Sequence, residues 1–299
     1  MSISRRALLA FVALAAGCSA TGGEPPELRL ATGPDGGPYG QLGERLAAEL
    51  RRDGQAVRVL KTAASVENLV MLADGRADVA FTLADSADDA VRVRHQPVAA
   101  LARMYMNYVH LVVRRDSAIA GPANLAGRRV SIGAEGSGTA VTAARVIAAA
   151  ETTATFVRLG LDDSIKALRA GRIEAFFWSG GVPTPALASL TDIRLVPLEP
   201  LVPVLRRTFG PVYEHATVPA GVYGGARAVP TVGTPSYLVC RAGLPGDLAF
   251  TVTETLFRAR DRLQAPSAPG GRLDERYAIG TGVVPLHAGA ARYYRSVYG

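Results

Sequence analysis

One pattern restricts the folds open to this chain more than any other. Leu72-x-x-Gly75-Arg76-x-Asp78-x-x-Phe81 returns as Leu168-x-x-Gly171-Arg172-x-Glu174-x-x-Phe177, displaced by 96 residues (171 against 75). Each copy reads as a helix that stops at a glycine and turns into a strand. A second pair precedes it in the same order. Gly33-Pro34-Asp35-Gly36 and Gly133-Ala134-Glu135-Gly136 are displaced by 100, and the register continues through Arg45/Arg145 and Ala48/Ala148. Two ordered matches at similar offsets predict two lobes of the same βαβ build, each presenting a glycine-rich loop at a helix N-terminus.

The surrounding sequence keeps to that grammar. Short β-branched runs alternate with longer Ala/Leu-rich periodic runs: LRLAT (28–32), YGQLGERLAAEL (39–50), AVRVLK (56–61), SVENLVMLADG (65–75) and DVAF (78–81). This predicts an α/β fold with mostly parallel strands covered on both faces. HLVVRRD (110–116) and YLVCRAG (237–243) look alike, and each follows an aromatic-containing stretch. They are expected to be the two strands that cross between lobes. Lobe 1 is then 27–113 plus 235–299, and lobe 2 is 114–234. Two crossings make a hinge, with a ligand cleft between the lobes. A chain of 299 residues that is 48% hydrophobic is long enough for both.

The loop of the second repeat, GAEGSGT (133–139), invites a nucleotide reading, and two templates test it. Gly133 and Gly138 have P-loop spacing, but Thr139 stands where the phosphate-binding lysine must be. A dinucleotide fingerprint needs a third glycine where this chain has Val141. What survives is more general: a helix N-terminus with unpaired N–H groups and a positive dipole end suits an anion. The structural alternative is a tight turn with Ser137 or Thr139 as N-cap.

The first residues carry an export signal. SRRALLAFVALAAGC has Arg5 and Arg6 followed by an apolar run from Ala7 to Ala16, too short for a membrane span of about 20 residues. Ala15-Ala16-Gly17 directly before Cys18 fits bacterial lipoprotein processing, with cleavage after residue 17 and a diacylglycerol on Cys18. An ordinary cleaved signal with a chance cysteine is the alternative, and Sec and twin-arginine export both fit. Residues 18–26 then form a flexible tether. Loss of residues 1–17 leaves 31 basic against 26 acidic residues, a net charge of +5 instead of +7. It also leaves Cys240 as the one unmodified cysteine, inside the apolar run SYLVCRA, where a buried inert thiol is expected rather than a nucleophile. No later stretch has 18 unbroken apolar residues.

Several functions find no support in the residues. The basic residues are scattered, without a run of five, so nucleic-acid binding is not indicated. His95, His110, His215 and His287 show no metal-ligand spacing, and no G-x-S-x-G elbow occurs. The expectation is a monomeric binding protein with no catalysis, no metal and no cofactor, although enzymes on folds of this kind exist.

The chain resembles the TAXI family, the solute-binding proteins of tripartite ATP-independent periplasmic (TRAP) transporters. The stretches that carry the resemblance are ATGPDGGPYGQLGERLA, TAASVENLVMLADGRADVAF, YVHLVVRRDS, NLAGRRVSIGAEGSGT, AGRIEAFFWSGGVPTPAL, VPAGVYGGARAVPTVGTPSYLV and PLHAGAARYYR, in family order. The resemblance implies a two-lobe type II periplasmic-binding-protein fold with a hinge and an interlobe cleft. It implies capture of a small carboxylate-bearing solute, a glutamate-like amino acid or dicarboxylate, for a TRAP membrane permease. Some lipoprotein members instead partner a sensor histidine kinase. The location implied is periplasmic or cell-surface, held to the membrane by the lipid on Cys18. The chain departs from the family pattern at Pro38-Tyr39, at Leu83-Ala84-Asp85 and at Tyr223-Gly224-Gly225, positions that bear on ligand identity.

Candidate ligand residues follow from the loops. Gly36, Gly37 and Tyr39 open the first helix, where N–H groups could hold a carboxylate and Tyr39 could cover it. Ser65 and Asn68 start the second. Asp85 and Ser86 follow the strand DVAF, and Asp85 could meet a ligand ammonium. Ser137, Gly138 and Thr139 are the favoured carboxylate site. Trp178, Ser179 and Gly180 follow EAFF at the place equivalent to Asp85. Each has a structural alternative as a cap, a turn or lobe packing, and Arg103 is expected to serve structure.

Overall fold

The computed structural model describes residues 27–35, 37–264 and 273–299. The signal, Cys18, the tether and Gly36 therefore lie outside the described residues. Among those described, no helix is long and apolar enough to cross a membrane.

The doubled pattern is a doubled structure. The first copy is β1 (Leu28–Ala31), α1 (Pro38–Arg52), β2 (Val57–Leu60), α2 (Ser65–Ala73) and β3 (Val79–Leu83). The second is β5 (Arg129–Ser131), α4 (Gly138–Ala149), β6 (Thr155–Val157), α5 (Leu161–Arg169) and β7 (Ala175–Gly180). Helix α4 starts 100 residues after α1, and α5 starts 96 after α2, the two offsets found in the sequence. Most of the four-residue contraction falls in the helix, which has 15 residues in α1 and 12 in α4.

The acidic position of the repeated motif has the same task in both copies. The Arg29 N–H donates to Asp78 at 3.0 Å, and the Arg129 N–H donates to Glu174 at 2.8 Å. The backbone answers in the other direction, from Asp78 N to Arg29 O and from Glu174 N to Arg129 O, both 2.9 Å. Each carboxylate thus pins the start of one strand to its parallel neighbour, satisfying a donor the ladder would leave free. Arg29 and Arg241 flank Asp78 and hold its carboxyl below the usual range, against the opposing effect of its burial.

The strands form one curled sheet in the order β2-β1-β3-β10-β4-β7-β5-β6, where β4 is Val98–Arg114 and β10 is Val229–Arg241. The three strands of each repeat are parallel, and the two central strands run antiparallel to their neighbours. Strand β10 pairs with β9 (Glu214–Val218) from Val229 to Gly233, then with β3 from Ser236 to Cys240. Strand β4 faces β10 from Val98 to Tyr108 and meets β7 from Tyr108 to Val113. HLVVR and YLVCR therefore belong to the two central strands, which change partners along their length. They form the far ends of those strands, and the passage itself lies upstream of each motif. An irregularity in the β10–β4 ladder falls between Pro235 and Tyr237, at that passage. Bulges of this kind bend a strand and re-aim its side chains.

Strands β1 and β3 are buried on nearly every residue, as expected of parallel strands covered on both faces. Helix α1 puts Leu42, Leu46 and Leu50 on one face at helical spacing and buries them with Phe81, Leu238 and Phe257. Helices α8 (Gly246–Arg258) and α10 (Ala288–Tyr298) complete that cover, with Phe257 stacked on Tyr293 at 5.7 Å. Cys240 is free and fully buried there, and burial pushes its thiol up to about 12, which keeps it protonated and inert.

Candidate functional site

The C-terminal ends of the parallel strands open onto one cleft of about 370 Å³ between the repeats. Helix starts from both sides line it: Gly37-Pro38-Tyr39 of α1, Ala64-Ser65 of α2, Ser137-Gly138-Thr139 of α4 and Gly160-Leu161 of α5. In α/β sheets this end of the strands is where helix N-termini bring donors and positive dipole ends together.

At α4, Ser137 is the N-cap: its Oγ accepts the Ala140 N–H at 3.2 Å and donates to Ala134 O at 2.7 Å. That uses up the Ser137 hydroxyl. Among the described residues, the Gly138 and Thr139 N–H groups have no partner. The Thr139 Oγ1 accepts the Ser179 N–H at 3.2 Å, so its own hydrogen remains available. The Ser179 Oγ is buried with no partner. Two amides and two hydroxyls thus stand together without a cationic side chain.

The repeats also touch directly at the cleft. The Gly136 carbonyl accepts the Val66 and Glu67 N–H groups, each at 3.0 Å, so these two α2 amides are already spent. Gly136 has φ +76 and faces Glu67, a conformation that favours glycine. Ala64, just before α2, has φ +89, uncommon for a residue with a side chain. Its N–H donates to Thr62 Oγ1 at 3.0 Å, and the Ala63 N–H donates to Glu67 Oε2 at 2.6 Å.

Tyr39 lies on the cleft floor. Its ring stacks on Phe81 at 5.4 Å, and its hydroxyl lies 2.9 Å from Ser236 Oγ, at the irregular point of β10. Burial pushes the Tyr39 hydroxyl well above the ordinary tyrosine range. Asn107 of β4 donates to the same Ser236 Oγ. Trp178 walls the other side, with Nε1 donating to Thr184 Oγ1 at 3.0 Å. The Thr184 N–H donates to Tyr223 at 2.8 Å, and His110 Nε2 lies 3.1 Å from the same phenol oxygen.

Gly37, Tyr39, Ser65, Ser137, Gly138, Thr139, Trp178 and Ser179 all line the cleft, whereas Asn68, Asp85, Ser86 and Gly180 do not. Asn68 is fully buried as a brace: it donates to Thr32 O at 2.6 Å and Phe81 O at 2.8 Å and accepts Thr62 Oγ1 at 2.6 Å. Asp85 is fully buried beneath the cleft, accepting Thr142 Oγ1 at 2.6 Å and Tyr213 OH at 3.1 Å. Burial raises its carboxyl, opposed by the nearby Arg145 charge. Ser86 donates to Asp85. Gly180 lies under the Trp178 indole, where a Cβ would come within 2.5 Å of Nε1. Arg103 pairs with Glu214 at 2.8 Å, a structural tie.

Sequence reasoning missed Asn107 and Thr184 in the lining. An amide inside the otherwise apolar strand YMNYVHLVV was the available signal for Asn107. Thr184 carried none.

Solved structures share this architecture. The alkanesulfonate-binding protein SsuA from Xanthomonas axonopodis pv. citri, bound to MOPS, matches with TM-score 0.53 at 17% identity, over 91% of this chain and 84% of that one. An ancestral arginine-binding protein bound to arginine matches with TM-score 0.53 at 14% identity, over 80% and 94%. The amino acid ABC transporter substrate-binding protein AbpA from Streptococcus pneumoniae, bound to L-arginine, gives 0.51 at 15%, over 79% and 91%. The fold is that of type II periplasmic solute-binding proteins. A family model matches residues 30–297, and the chain belongs to the NMT1-like family.

Proposed function

We propose that this protein is an extracytoplasmic receptor, without catalysis, that captures a small carboxylate-bearing solute for a TRAP-type secondary transporter. The observation that carries the ligand class is the pair of unpartnered N–H groups at Gly138 and Thr139, beside the hydroxyls of Thr139 and Ser179. A carboxylate there gains charge-assisted hydrogen bonds and the dipole of a 12-residue helix. A glutamate-like acid, the transporter type and a lipid anchor on Cys18 come with the TAXI resemblance.

The lobes in this reading are 27–113 plus 235–299 and 114–234. The pairing of β4 supports moving its passage up to between Arg103 and Tyr108, where its partner changes from β10 alone to β7 as well.

Calorimetry and thermal shift against amino acids, monocarboxylates and dicarboxylates test the proposal, because a ligand that binds only the folded state raises the melting point. A panel in which nothing binds overturns the carboxylate ligand. Thr139→Ala should weaken binding by about tenfold through loss of one charge-assisted donor. Unchanged affinity would move the carboxylate elsewhere.

A further inference from the structure

The charges around the cleft are one-sided. Among the described residues, no lysine, arginine or histidine lines it, and the charged lining residues are Asp35, Asp162 and Asp163. Lys61 meets Asp35 at 2.7 Å and Lys166 meets Asp163 at 3.5 Å, in solvent-exposed pairs whose lysines lie outside the lining. Much of the remaining wall is hydrocarbon and aromatic, from Leu83, Leu159, Leu161, Phe177 and Trp178.

One carboxylate is well served at the start of α4. A second has nowhere equivalent to go. At α2 the Val66 and Glu67 amides are held by Gly136, which leaves the single Ser65 N–H against the two amides and two hydroxyls at α4. Helix α5 already has Asp162 and Asp163 in its first turn. Helix α1 begins with Pro38, which lacks an N–H, and Asp35 stands in the loop before it. A second carboxylate would lose its hydration against apolar walls or approach other carboxylates, with no cation to compensate. An ammonium on the ligand meets the opposite situation, since the acidic side of the cleft attracts it.

Resting on the receptor reading above, we infer that the cleft selects ligands with a single carboxylate and an apolar body, neutral amino acids included, and disfavours glutamate and dicarboxylates. This narrows the ligand class implied by the family resemblance.

Length-matched pairs separate the two classes. Calorimetry on the purified protein would compare norvaline with glutamate, and pentanoate with glutarate, each pair sharing a five-carbon chain. The single-carboxylate member should bind about tenfold or more tightly than its partner. A dicarboxylate that binds as tightly or better overturns the inference and leaves the receptor reading intact. If none of the four binds, both fall. Replacing Asp162→Asn and Asp163→Asn together should narrow the ratio severalfold in favour of the dicarboxylates, and an unchanged ratio removes the acidic residues from the explanation and overturns their part in the inference.

Discussion

Gly138 meets Ser65 across the cleft so closely that a Cβ on Gly138 would lie 2.4 Å from the Ser65 Oγ and 2.7 Å from Leu83 Cδ1. Ser65 cannot readily swing away, because its Oγ accepts the Leu83 N–H at 3.0 Å. The glycine is therefore required by the approach of the two lobes. Gly138→Ala should hold them apart. Overpacking at such a contact costs about 1–3 kcal/mol, which predicts ligand affinity lowered by about tenfold or more. Solution scattering of the ligand-saturated variant should also give a larger radius of gyration. Wild-type affinity in the variant would show that this contact does not limit closure.

Arg145 ties the lobes together below the cleft. It reaches Asp89 at 2.6 Å and the Tyr213 hydroxyl at 2.9 Å, and Tyr213 in turn donates to buried Asp85. The guanidinium lies over the Phe209 ring at 4.9 Å. Removing it takes the counter-charge from buried Asp85 and from partly exposed Asp89. Arg145→Met should destabilise the protein by about 3 kcal/mol in denaturant unfolding. Adding Asp85→Asn should recover part of that loss, because the strain is electrostatic. A double variant with exactly additive losses would contradict the coupling.

The same arginine shows how far the sequence could be read. Arg45 and Arg145 hold matching places in the two repeats, yet Arg45 is exposed while Arg145 sits between lobes. Repeat grammar reports backbone order, and α1 and α4 do share that order. It does not report what packs on each helix, which depends on the antiparallel partner strands and on α3 (Ala84–Arg92) lying against α4. The glycine-rich loops were legible for the same reason: a turn before a helix is a local matter. Asn68 and Asp85 stand at positions that look ligand-ready in a linear reading. Their partners Thr32, Thr142 and Tyr213 come from distant segments, and these turn both side chains inward. Asn107 was missed because the central strands assemble that part of the cleft only in three dimensions.

Ala64 occupies a backbone region that glycine enters far more readily, with φ +89 and ψ −137 immediately before α2. Thr62 and Glu67 hold it there through the Ala64 and Ala63 N–H groups. Strain of this kind costs on the order of 1–3 kcal/mol, and glycine relieves most of it, less the entropy glycine loses on folding. Ala64→Gly should therefore raise the stability of the unliganded protein by about 1 kcal/mol in denaturant unfolding. A destabilised variant would show that Ala64 contributes packing that outweighs its backbone strain.

His110 makes stability depend on pH in a defined window. It is buried with Nε2 near Tyr223 OH and Nδ1 near the Trp178 carbonyl, and burial lowers its pKa to about 4. In the unfolded chain the ring titrates near its ordinary value of 6.5. Between these values the unfolded state binds a proton that the folded state does not, so folding loses stability as pH falls from about 6.5 towards 4 and levels off below that. At one unit of pKa per 1.36 kcal/mol, the loss approaches about 3 kcal/mol. Carboxylates paired in the fold, such as Asp78, lose their contribution at lower pH, and buried Asp85 acts in the opposite sense. The difference between wild type and His110→Gln removes these shared terms. Melting temperatures measured from pH 7.5 to 4 should therefore fall less steeply for His110→Gln than for wild type, and parallel curves would place the pH dependence elsewhere.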